Sequence, residues 1–134
     1  MISHHAALIY TMVLVSASDR NMTDAEMETM GDTIGHLPIF KDYDRKLLPK
    51  TAAACAELLD DEDGLEKALD LIKTALPEKL RETAYALACD VVASDRSASQ
   101  EELRMLELIR DALHIDRLAA AAIERGGRAH YIRL

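Results

Sequence analysis

Two stretches of the chain, residues 5–17 and 79–93, are apolar nearly all round. A helix with almost no polar face belongs in the middle of a bundle, so each stretch predicts a central helix. Each is followed by a Ser-Asp-Arg loop, Ser18-Asp19-Arg20 in one case and Ser94-Asp95-Arg96 in the other. After each loop the pattern becomes amphipathic. Met27, Met30, Ile34 and Leu37 recur at helical spacing, as do Leu103, Leu106, Ile109 and Leu113. Both amphipathic helices carry a start signal, Thr23-x-x-Glu26 and Ser99-x-x-Glu102. These are capping boxes, in which hydroxyl and carboxylate each accept from a backbone N–H that the first helical turn leaves without a partner.

The two stretches superimpose without gaps. Ser18-Asp19-Arg20 falls on Ser94-Asp95-Arg96 and Glu26 on Glu102; upstream, Ala17 falls on Ala93 and Val15 on Val91. Downstream, Met30 falls on Leu106, Leu37 on Leu113 and Ile39 on Ile115, whereas Ile34 meets Arg110. The second halves of the two units are therefore not expected to bury identical faces. Between the units, Asp42 or Asp44 can start a helix reaching about Leu59, with Pro49 kinking it or marking a new first turn. Residues 60–64 form an acidic turn before a helix to about Ala75, and Pro77 opens the second central helix. Asp116 caps a last helix, which Gly126-Gly127 is expected to end. The expectation is an all-α bundle of about seven helices. It forms a single domain over 1–134, with two pseudo-repeated helix–acidic loop–helix units at about 5–40 and 79–116.

Composition narrows the function classes. The apolar 49% is mostly Ala, Leu, Ile, Val and Met, with no Trp and one Phe, which suits helices better than sheets. Net charge is −8, with thirteen acids against six Lys and Arg in residues 1–67 and eleven against ten thereafter. Nucleic-acid binding needs a basic stripe, and only Arg125, Arg128, His130 and Arg133 are locally basic, so no nucleic-acid partner is expected. Residues 6–17 resemble the apolar core of a signal peptide, but no Lys or Arg precedes them. The run also falls short of the ~20 residues a membrane-spanning helix requires, so no membrane insertion is expected. Cys55 and Cys89 have no CxxC spacing and sit among Ala and Leu. They are expected to be buried free thiols, as suits a cytoplasmic protein.

The residues singled out by repetition are Asp19, Glu26, Asp95 and Glu102. One reading is local: the glutamates complete capping boxes, the aspartates bond the following loop amides, and Arg20 and Arg96 take up the remaining charge. The other is an oxygen-only site for a hard divalent cation such as Ca2+, which takes several carboxylates at once. Asp90, on the second central helix, is either a fifth acid for that site or an edge residue meeting a cation such as Arg96. Signatures of catalysis are missing: no HExxH, no ExxH pair, no EF-hand loop and no glycine-rich phosphate loop occur. The expectation is a non-enzymatic protein with no certain cofactor.

On the stretches ALIYTMVLVSASDRNMTDAEMETM and LRETAYALACDVVASDRSASQEELRMLELI, the chain resembles the tellurite-resistance TerB-like family. The family's mark is an acidic loop followed by a Glu early in the next helix, twice in an all-helical fold. Asp19 with Glu26 and Asp95 with Glu102 match it. The resemblance implies a stress-response module without enzymatic activity, with protein partners and with metal bound at those four acids. The family's usual Asp-Gly is Asp19-Arg20 and Asp95-Arg96 here, which places two cations beside the acids. The alternative is a helical protein–protein interaction adaptor that holds no metal.

Overall fold

Ten consecutive residues, Ala7 to Ser16, are buried in the computed structural model, which describes residues 1–19, 22–95 and 98–134. They belong to α1 (His4–Ala17), which with α5 (Arg81–Ser94) forms the centre of the molecule. In α5 the buried set is Ala84, Tyr85, Leu87, Ala88, Cys89, Val91, Val92 and Ser94. Helices without a polar face are stable only when other helices cover them on several sides. The covering helices are α2 (Asp24–His36), α3 (Leu48–Leu59), α4 (Gly64–Ala75), α6 (Gln100–Ala112) and α7 (Arg117–His130). Among the described residues there are seven α-helices and no strand. None of these helices is long and apolar enough to cross a membrane.

The packing order matters for the site. α1 packs most extensively on α5; α3 and α4 cover α1, and α7 covers α5. α2 lies mainly on α5 rather than on α1, its neighbour in the chain, while α6 touches both central helices. The two capped helices therefore converge on the same central pair. Leu106 and Met30 are buried at corresponding places, as the repeat predicts. At the mismatched pair, Ile34 is buried and Arg110 reaches outward to Asp111 and Glu124.

Several local expectations are revised. Met27 and Leu103 belong to the apolar stripes, yet they stand 47% and 43% exposed. Each sits at the fourth helical position, where it can staple to the residue preceding the cap, Met22 or Ala98. Gly126 and Gly127 do not end α7, which continues to His130. Gly127 is buried against Cys89 and Asp90 of α5, and this packing outweighs the ~1 kcal/mol that a glycine costs inside a helix. Pro77 precedes a 3-10 turn, Glu78–Leu80, so the α-helical part of the second central helix starts only at Arg81. Asp44 caps a separate 3-10 turn, Arg45–Leu47, and Pro49 lies in the first turn of α3. Asp116 caps α7, its Oδ2 accepting from Leu118 N and Ala119 N at 3.1 and 3.2 Å.

Candidate functional site

Both capping boxes form. Glu26 N donates to Thr23 Oγ1 and Thr23 N to Glu26 Oε1, each at 3.1 Å. In the second unit, Glu102 N donates to Ser99 Oγ at 3.0 Å and Ser99 N to Glu102 Oε1 at 3.1 Å. A cap at the surface would leave the second carboxylate oxygen in water. Here Glu26 and Glu102 are 0% and 2% exposed, and the Oε2 atom of each is buried with no donor from another side chain or backbone group among the described residues. Burying a carboxylate oxygen without a partner is costly, so capping alone does not account for this arrangement.

The two carboxyls meet. Glu102 lies within hydrogen-bonding reach of Glu26, and a proton on either makes it a donor to the other. Burial, then the hydrogen bond with Glu102 and repulsion from Glu102 and Asp95, push Glu26 up to about 8 against the opposing pull of the Thr23 N–H. The proton belongs to the pair as a unit, as in other close carboxyl dyads.

Of the four acids singled out by sequence, Glu26 and Glu102 are thus brought together, and Asp95 is near enough for its charge to act on them. Asp95 is the C-cap residue of α5, with extended backbone, and is half-buried. Asp19 is half-buried in the turn that follows α1. Among the described residues, no three His, Cys, Asp or Glu side chains converge as a ready-made cage for a metal ion. Arg20 and Arg96, the expected counter-charges, lie outside the described residues. Asp90 faces α7: its Oδ1 lies 3.7 Å from where a Cβ on Gly127 would sit. Burial raises its pKa and the charge of His130 lowers it.

The chemistry of the pair suits a hard cation. Among the described residues, two buried carboxylate oxygens have no donor beyond each other, and Asp95 adds a third acid close enough to act on them. Sequence reasoning missed Ser16, whose Oγ is buried in the last turn of α1 with no partner among the described residues. Its counterpart in the repeat is Val92, so repetition gives no signal for it. It also missed the bond from Tyr85 Oη to Glu124 Oε2, 2.5 Å long and spanning α5 to α7, because no local pattern marks a pair so distant in the chain. The thiols behave as expected for buried free cysteines: both are buried, and burial pushes each up to about 12.

Residues 5–125 match the family model described as tellurite resistance protein TerB. Comparison with curated proteins and with solved structures gave no match. The matched span covers α1 to α6 and most of α7, and includes all four acids and both capping boxes. The chain belongs to the TerB family of tellurite resistance proteins.

Proposed function

We propose that this chain is a single-domain, non-enzymatic TerB-type stress-response module of the cytoplasm whose acidic site takes up a hard divalent cation such as Ca2+. The observation that carries this reading is the buried Glu26–Glu102 pair, with one oxygen on each side chain that has no donor beyond the pair among the described residues. A cation there would satisfy both oxygens in place of the shared proton. Asp19 and Asp95, at the head of the two loops, would supply further oxygens. Bound metal would neutralise the site and tie the starts of α2 and α6 together. The chain's own residues hold the two glutamates in place through Thr23 and Ser99 and shield them from water.

The test is calorimetric titration of metal-free protein with Ca2+. Saturable binding is expected, tighter at pH 8.5 than at pH 6, because at the lower pH the ion must displace a proton. Glu26→Gln and Glu102→Gln keep a capping-box residue at the third helical position while removing a charge, and each should abolish binding. An absence of heat at millimolar Ca2+ and pH 8.5 would overturn the cation reading. The reading then favoured is a helical adaptor for other proteins, without metal. Its support is the exposure of Met22, just before the cap of α2, and of Met27 and Leu103, in the first turns of α2 and α6.

A further inference from the structure

Between α5, α6, α7 and the tail after His130 lies a half-open cleft of about 800 Å3. Its apolar floor includes Tyr85 and Val92 of α5 and Leu103 and Leu106 of α6. Ligand clefts for single small molecules occupy roughly 300–1,000 Å3, so the volume suits one extended apolar body. Arg110, Arg128 and Arg133 also line it, beside three acids. Two of these acids are already engaged: Glu107 by Arg104 at 2.8 Å, and Glu124 by Tyr85 at 2.5 Å and Arg110 at 3.9 Å. The third, Asp95, belongs to the acidic loop end of the cleft. Among the described residues, neither Arg128 nor Arg133 has an ion-pair partner. In a chain of net charge −8, a cleft lined by three arginines against three acids is locally balanced, and Arg128 and Arg133 stand beside its apolar floor outside any ion pair among the described residues.

The geometry points to a binding site for a single-chain amphiphile with an anionic head, a free fatty carboxylate, its chain on Tyr85, Val92, Leu103 and Leu106 and its carboxylate on Arg128 and Arg133. Guanidinium forks match carboxylates in shape and charge, and the floor supplies the apolar contact. The cleft shares Asp95 with the acidic site but is not lined by Glu26 or Glu102, and Arg128, Arg133 and the tail lie beyond residue 125, where the family match ends.

The probe is decanoate, titrated into the full-length chain by calorimetry below its aggregation concentration, with a chelator present to silence the acidic site. One decanoate per chain is expected, with decanol at least tenfold weaker and decyltrimethylammonium not bound. The double variant Arg128→Gln, Arg133→Gln changes only exposed side chains and should bring decanoate down to the level of decanol. Leu103→Glu, at another exposed position, should weaken decanoate further still. Circular dichroism of each variant separates loss of binding from loss of fold. Absence of saturable decanoate binding would overturn the inference, as would equal affinity for decanoate and decanol. Binding to phosphatidylglycerol vesicles without binding of free decanoate would place the anionic head in a membrane and overturn it too.

Discussion

Glu26 does two jobs that pull its charge in opposite directions. As the third residue of a capping box it is favoured as a carboxylate, because it accepts the Thr23 N–H. As half of a buried pair it is favoured as an acid, because burial and Glu102 together push it up to about 8. The sign of the stability effect follows. Between the ordinary value of about 4.5 and the folded value of about 8, the folded chain holds a proton that the unfolded chain releases. Metal-free protein should therefore lose stability from this site as pH rises through that window, and the loss should be complete above it. Glu26→Gln keeps the cap and supplies an amide donor, so its urea midpoint should gain on the parent steadily from pH 4.5 to pH 8. A difference that stays constant across that range rejects the shared proton. The hydroxyl side of each box is tested separately. Thr23→Ala and Ser99→Ala should each cost about 1 kcal/mol in chemical denaturation, the usual loss of an N-cap, and two neutral results would contradict the boxes. The four acids were legible in the sequence as repeated letters. That Glu26 and Glu102 meet was not, because it depends on α2 lying on the central helix of the other unit.

Helices were legible where their signals are local. The boxes at Thr23 and Ser99, the cap at Asp116 and the apolar runs of α1 and α5 are set within a few residues, and each predicted element stands. The glycines were harder, because their roles depend on what packs against them. Gly64 opens α4, where an added Cβ would lie 2.1 Å from the Leu58 carbonyl oxygen and 2.9 Å from Leu59 Cα. Neither backbone atom can yield cheaply, so Gly64→Ala should destabilise by about 1–3 kcal/mol, the range for overpacking. Gly126 is the opposite case: it is exposed, lies inside α7, and an added Cβ would have nothing within 4 Å of it. Gly126→Ala should stabilise by roughly 0.5–1 kcal/mol through helix propensity alone. Thermal melts of the two variants should move in opposite directions. A stabilised Gly64→Ala would mean that the α3–α4 turn leaves room for a Cβ beside the Leu58 carbonyl.

At the scale of the whole molecule, the loops hang from the ends of the two central helices, and the capped helices that follow them cross over the same pair. An ion held at the acidic site would join both units, so its binding should register in global stability rather than in one helix. Ca2+ added to metal-free protein should raise the melting temperature, with a linkage gain of about 2.7 kcal/mol at a hundredfold excess over the dissociation constant. Asp19→Asn and Asp95→Asn remove charge at the head of each loop without disturbing either capping box. In the cation reading these variants lose the Ca2+ response, and metal-free Asp95→Asn gains stability because its repulsion of Glu26 is relieved. If Arg20 and Arg96 already neutralise the acids, as the departure from Asp-Gly allows, both results reverse. Millimolar Ca2+ then leaves the melt unchanged, and the Asn variants are mildly less stable because an arginine has lost its partner. The expected outcome is the first, and the opposite signs let one melting series on three proteins distinguish a cation-holding TerB module from a metal-free adaptor.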